Sequence, residues 1–199
     1  MIAVIDCCGS NIASVKYALQ RVGVDAVFTS DSDVVNKADK VILPGVGSAE
    51  HAMNKLQQNN LVDVIQNLQQ PVLGVCLGMQ LLFERSEEGD VQCLGVISEK
   101  IMRFPVVENI TVPHMGWNTL SDSAKDSQLM HKVSNDYVYF VHSYYAPVCD
   151  FTVAKTTHGI QFSSVVNKKN FYGMQFHPEK SGKVGEQLLH NFIELKNWS

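Results

Sequence analysis

Hydrophobic positions in the first half of the chain follow two rhythms. Short apolar runs, IAVID (Ile2–Asp6), DAVFT (Asp25–Thr29), KVILPG (Lys40–Gly45) and PVLGV (Pro71–Val75), have the length of strands buried on both faces. Between them, apolar residues recur three and four apart, as one face of a helix requires. The stretch NIASVKYALQRVG predicts a helix, with Ser10 or Asn11 able to cap its start and Gly23 to stop it. A second helical stretch covers Ala49–Leu68, with a break expected near Asn59–Asn60. A third is expected after Val75, running through Leu82–Phe83. Strands alternating with helices predict an α/β fold, its mostly parallel or mixed sheet flanked by helices on both faces.

From about Gly89 the rhythm changes. VVENITVPHMGW, YVYFVHSYYA, FTVAKTT, IQFSSVV and FYGMQF all read as strands with short connections. They predict a β-rich second half that extends the sheet in antiparallel or mixed fashion. GKVGEQLLHNFIELKNW then reads as a closing amphipathic helix. No linker, repeat or low-complexity segment interrupts the pattern, so residues 1–199 are expected to form a single domain.

Composition narrows the functional classes. The chain is 45% hydrophobic, enough for a substantial core, and carries a mixed net charge of −4. No basic stripe suggests nucleic acid, and no polybasic patch suggests a membrane surface. Apolar runs of strand length do not predict a bilayer span. The opening MIAVIDCCGS lacks a positive leader, so a signal peptide is not expected. The five cysteines, Cys7, Cys8, Cys76, Cys93 and Cys149, are odd in number and scattered. They suggest free thiols in a reducing cytoplasm rather than a disulfide framework, and no C-x-x-C pair suggests zinc.

One cysteine has a special setting. Gly74-Val75-Cys76-Leu77-Gly78 is G-x-C-x-G at a strand-to-helix turn, the spacing that forms a nucleophile elbow when serine stands at its centre. The glycines permit close backbone approach, and the turn lifts the side chain above the sheet edge. The N–H of Leu77 can face an oxyanion. Cys76 alone would also suit a small buried core position.

A nucleophile needs a base, and the base needs an orienting group. Of the seven histidines, His177 ends an apolar strand in YGMQFHPEKSG, with Glu179 two residues on. His177 can take the thiol proton and return it to a leaving amine, while Glu179 fixes the imidazole tautomer. The loop Pro44-Gly45-Val46-Gly47-Ser48, after another strand, can supply a second oxyanion N–H from Val46, although glycine and proline also build ordinary turns. Gln80 lies one helical turn past Cys76 and shares its face. Glu88, in SEEGD, reads by itself as a loop charge, and Trp117 reads equally well as an interface anchor or a core residue.

Together, LPGVGS, GVCLGMQLL and FHPEKSG resemble the class I, or triad, glutamine amidotransferases. PHMGWN, YFVHSYYA and the spacing of Asp6 and Asn11 narrow the resemblance to the branch that serves histidine biosynthesis. It spans essentially the whole chain and implies a flavodoxin-like domain that hydrolyses glutamine to glutamate and ammonia through a cysteine thioester. It implies a Cys76–His177–Glu179 triad and substrate contacts at Gln80 and Glu88. It places the oxyanion strand at Gly45, Val46 and Gly47, with Leu77 as the other donor. Ser143 and Tyr144 match a backbone segment that holds the glutamine.

Asn11, Trp117, Tyr139 and Lys180 match positions near a partner. The implied partner is a (β/α)8-barrel cyclase that receives ammonia through a tunnel, in a heterodimer without cofactor or metal. Such a glutaminase is expected to stay nearly silent until its partner is docked and occupied, with the peptide at Val46 as the switch. Two other readings remain open on the residues: a free-standing cysteine hydrolase of γ-glutamyl compounds, and a non-catalytic binding module. One departure from the pattern is DCCGSN, where Cys7, Cys8 and Ser10 replace the family's glycines and aromatic residue.

Overall fold

The computed structural model describes residues 1–7, 12–106, 110–124, 126–134 and 136–196. The first part runs β1 (Ile2–Ile5), α1 (Ile12–Arg21), β2 (Ala26–Thr29), α2 (Ser32–Lys37), β3 (Lys40–Leu43), α3 (Ala49–Gln58), α4 (Val62–Gln66) and β4 (Val72–Val75). The middle holds α5 (Leu77–Leu81), β5 (Phe83–Ser86), β6 (Val91–Gln92), β7 (Ile97–Arg103), β8 (His114–Thr119), β9 (Tyr137–His142) and β10 (Tyr144–Tyr145). The last part is β11 (Thr152–His158), β12 (Ile160–Lys168), β13 (Phe171–Met174) and α6 (Gly182–Glu194).

The main sheet has the order β11-β12-β13-β4-β3-β1-β2. β13, β4, β3, β1 and β2 are mutually parallel, while β12 and β11 add antiparallel at one edge. Side chains alternate across it. Val41, Leu43 and Val72 join a core under α2, α3 and α4. Ile42, Leu73 and Val75 join a second core with Leu19 of α1 and with Leu188 and Phe192 of α6. Burial on both faces explains why these strands read as unbroken apolar runs.

The expected α/β architecture is present, with several corrections. The break near Asn59–Asn60 separates α3 from α4, and Asn60 takes φ 54°. The helix after Val75 does not run through Leu82–Phe83: it is Leu77–Leu81, and Phe83 begins β5. Leu81, Leu82 and Phe83 are all buried, so the apolar pattern crosses the junction without punctuation. Only β11, β12 and β13 extend the main sheet; β10-β7-β5-β6 form a small second sheet and β8-β9 a separate ribbon. Of VVENITVPHMGW, the strand is His114–Thr119, and residues 107–109 lie outside the described residues. α2 was not legible: six residues are too few to show a period, although Asp31 caps it by accepting from Asp33 and Val34 N–H. The capping positions Ser10 and Asn11 lie outside the described residues.

Candidate active site

Three neighbouring parallel strands end at one edge of the sheet, and each delivers a part of the site. β3 leads into the Gly45–Val46–Gly47 loop, β4 into Cys76 and β13 into His177. Leu43 pairs with Gly74, and Val75 with Met174. The Cys76 N–H donates to the Met174 carbonyl at 2.7 Å, so the turn stays tied to β13 as it leaves the sheet.

Cys76 sits at φ 54°, ψ −111°, a conformation that a side chain rarely adopts. The glycines around it are demanded by contact. A β-carbon on Gly78 would lie 1.8 Å from the Leu43 carbonyl oxygen, one on Gly74 would lie 2.5 Å from the Gly78 carbonyl oxygen, and one on Gly45 would lie 2.5 Å from Gly78 N. The Gly45–Val46–Gly47 loop, the turn at Cys76 and α5 therefore touch backbone to backbone. Gly45 has this packing role and does not line the cavity. Gly47 needs its glycine for another reason, a φ of +94°.

A cavity of about 410 Å³ opens over the elbow, lined by Val46, Gly47, Cys76, Leu77, Gln80, Glu88, Pro113, Val141, His142, Ser143, Tyr144 and His177. A larger cleft, about 510 Å³, runs along α6 past His131 and His190 but holds no nucleophile–base pair. The structure thus gathers Cys76, His177, Val46, Leu77, Gln80, Glu88, Ser143 and Tyr144 around one space.

His177 is 3% exposed, and its Nδ1 lies 2.8 Å from Glu179 Oε1. Burial pulls its pKa down, but hydrogen bonds and charge from Cys76 and Glu179 outweigh this and raise it to about 10. The imidazole therefore holds a proton between a sulfur and a carboxylate. Cys93, by contrast, is pushed up to about 11 by burial and by the nearby Glu88 charge, which leaves it an inert thiol.

Two polar side chains, Gln80 and Gln175, are linked to each other next to Cys76. Gln80 donates from Nε2 to the Tyr144 carbonyl and to Gln175 Oε1, both at 2.9 Å. Gln175 Nε2 in turn lies 4.0 Å from Cys76 Sγ. Sequence reasoning missed Gln175, which looks like one more residue of the FYGMQF strand; the parallel register that sets it beside Cys76 was the missing signal. Glu88 accepts the Ala49 N–H at 2.8 Å, at the start of α3, which a plain loop charge would not do.

Trp117, Tyr139 and Lys180 lie away from the cavity. Trp117 is exposed on the outer face of the β8–β9 ribbon, opposite Tyr139, with ring centroids 5.9 Å apart. The Lys180 ammonium lies 5.8 Å from the Tyr139 ring centre. A core position for Trp117 is therefore excluded. Asn11, expected on the same partner face, lies outside the described residues.

This fold with this elbow defines a class: the family model for class-I glutamine amidotransferases matches residues 3–195, and the chain belongs to that family. Within it, the chain is 50% identical over 196 residues to the imidazole glycerol phosphate synthase subunit HisH of Bacteroides thetaiotaomicron, covering 98% of this chain and 99% of that one. It is 51% identical over 198 residues to subunit HisH 2 of Legionella pneumophila strain Paris, covering 99% of each. The chain is thus a member of the HisH branch. Among solved structures, a glutamine amidotransferase of Thermotoga maritima matches with a TM-score of 0.69 at 15% identity over 97% of this chain and 96% of that one. Another crystal structure of a glutamine amidotransferase gives a TM-score of 0.74 at 16% identity over 97% of each chain. At such identities these two likenesses speak for the fold.

Proposed function

We propose that the chain is the glutaminase subunit of imidazole glycerol phosphate synthase in histidine biosynthesis, and that Cys76, His177 and Glu179 carry out its chemistry. The observation that carries this reading is the convergence of three strand ends, which sets an elbow cysteine, a protonated histidine and an oxyanion loop around one cavity. Cys76 sulfur attacks the side-chain carboxamide carbon of glutamine. Negative charge forms on the carboxamide oxygen, to which Leu77 and Val46 offer N–H groups. His177 gives its proton to the nitrogen as the C–N bond breaks, and ammonia leaves a thioester on Cys76. Water then attacks the thioester while His177 takes its proton; glutamate departs, and the Cys76 sulfur is released beside a protonated His177, as at the start. Glu179 keeps the His177 ring oriented throughout.

Gln80, Glu88 and the Ser143–Tyr144 backbone hold the glutamine, with Gly47 giving room at the cavity edge. No step calls for a cofactor or metal. The released ammonia passes to a (β/α)8-barrel cyclase docked against Trp117, Tyr139, Lys180 and Asn11. Free thiols at Cys76, Cys93 and Cys149 suit a cytoplasmic heterodimer, and no helix among the described residues is long and apolar enough to cross a membrane. Docking and occupancy of the cyclase raise turnover by favouring the orientation of the Val46 peptide that donates; one such donor is worth about 100- to 1,000-fold.

The test uses the complex. Cys76→Ser abolishes ammonia release from glutamine, keeps cyclase binding and still permits synthesis from added ammonia at alkaline pH. Retained glutamine hydrolysis in Cys76→Ser would overturn the reading.

A further inference from the structure

In and behind the cavity wall lies a cluster of imidazoles that the proposed chemistry does not use. His114 and His142 face each other across the β8–β9 ribbon, and both are buried. His114 Nδ1 and His142 Nε2 are 3.0 Å apart. The other nitrogen of His142, Nδ1, lies 2.7 Å from the Tyr144 carbonyl oxygen. A carbonyl only accepts, so His142 carries a proton on Nδ1. In the neutral ring Nε2 is then a lone pair, and His114 donates to it from Nδ1.

His114 Nε2 is left to accept from Asn118 Nδ2 at 3.2 Å. The orientation of that amide is fixed independently: its Oδ1 accepts from Thr119 N–H at 2.8 Å, and its Nδ2 donates to the Thr157 carbonyl at 2.9 Å. Each contact pairs one donor with one acceptor only if both rings are neutral. A proton added to His142 would set two N–H groups against each other, and one added to His114 would do the same toward Asn118.

The surroundings favour that state. Phe104, Phe140 and Phe162 pack around the pair. The titratable groups facing it are His158, stacked on His114 with centroids 4.1 Å apart, and His177. Burial first, and the like-charged His158 second, lower the pKa of His114 to about 4. Burial lowers His142 to about 3, against the pull of the Tyr144 carbonyl.

The chain of bonds ends at the pocket. The Tyr144 carbonyl receives His142 from one side and Gln80 Nε2 from the other, which fills both of its lone pairs. The preceding carbonyl, of Ser143, accepts from Phe104 N–H at 3.1 Å. We infer that His142 and His114 are positioning residues, a one-directional imidazole relay that locks the Tyr144 carbonyl and so aims the Ser143–Tyr144 backbone toward the ligand. The kinetic consequence rests on the glutamine-site reading above; the relay itself does not.

Two measurements test it. In long-range 15N–1H spectra of the full chain, His114 and His142 are both protonated on Nδ1 alone, and neither titrates between pH 8 and about 5. A proton on Nε2 of either ring, or titration above pH 6, overturns the relay whether or not any variant folds. In the complex, His114→Leu removes the donor to His142. It raises KM for glutamine roughly tenfold, the size of one net buried hydrogen bond, and leaves kcat within about twofold. His114→Asn puts an amide N–H where Nδ1 stood and restores most of the affinity. Unchanged KM in a folded His114→Leu, or failure of His114→Asn to restore it, overturns the positioning role. If the unaltered complex hydrolyses no glutamine, the functional reading fails while the spectra still decide the relay.

Discussion

Cys76 holds a left-handed φ of 54° under a full side chain, at a cost of about 1–3 kcal/mol in strain. The cost belongs to the β-carbon and not to the sulfur. Cys76→Ala therefore keeps it, and Cys76→Gly releases it. We expect the Gly variant to be more stable than the Ala variant by about 1 kcal/mol or more in denaturant unfolding, the reverse of the usual order in regular structure. Neither variant hydrolyses glutamine. Equal stabilities would mean that the turn is not strained. Labelling adds a second expectation at this scale: a glutamine-like electrophile modifies Cys76 and spares Cys93, whose thiol burial holds up to about 11, as mass spectrometry of the peptides will show. That Cys76 and His177 meet at one cavity, with Glu179 on the histidine, was legible because elbow glycines and a strand-end histidine point to one sheet edge. Gln175 and the His114–His142 pair were not. Their meaning lies in which neighbour a strand acquires, and that is a property of register and not of local pattern.

Element packing puts the site within backbone contact of itself. α5 lies so close to the end of β3 that Gly78 cannot carry a methyl group without displacing the Leu43 carbonyl. Gly78→Ala should cost about 1–3 kcal/mol, as overpacking does. It should also part the Val46 loop from the elbow, so that kcat falls more than the loss of stability explains. Denaturant midpoints together with glutamine turnover in the complex check both halves; an unchanged kcat would show that the loop does not depend on this contact. β1, β3 and β4 could be read from sequence because both of their faces are buried, whereas β2, at the sheet edge, leaves Val27 exposed. β7 could not: only Ile97 and Ile101 of its seven residues are buried, and charged residues stand between them. The end of α5 was misread for the opposite reason. Leu81, Leu82 and Phe83 are apolar on both sides of the boundary, and periodicity has nothing there to count.

For the whole molecule, three histidines pull stability in opposite directions with pH. His114 and His142 have folded pKa values of about 4 and about 3, below the unfolded 6.5, so protons favour the unfolded chain. Their contribution is full above pH 6.5 and declines as pH falls toward 4 and 3. His177 is raised to about 10; its contribution is full below 6.5 and is lost as pH rises through 10. Together they place greatest stability close to neutrality. Denaturant midpoints from pH 4 to 10 should show two limbs. Cys76→Ala, which removes the hydrogen bond to His177, should flatten the alkaline limb alone; an alkaline limb of unchanged slope would refute the assignment. The strand order has a further consequence, in the time domain of synthesis. β4 lies between β3, which precedes it in the chain, and β13, whose Phe171 pairs with Val72. On the ribosome, β1 to β4 emerge early, and the outer edge of β4 then waits through the whole middle of the chain with its N–H and C=O groups unpaired and a buried-type face exposed. During that interval the nascent protein already carries Cys76, the proposed nucleophile, but not His177, its proposed base. It is at once chemically idle and at its most prone to pair with another chain, and the arrival of β13 ends both conditions in a single step.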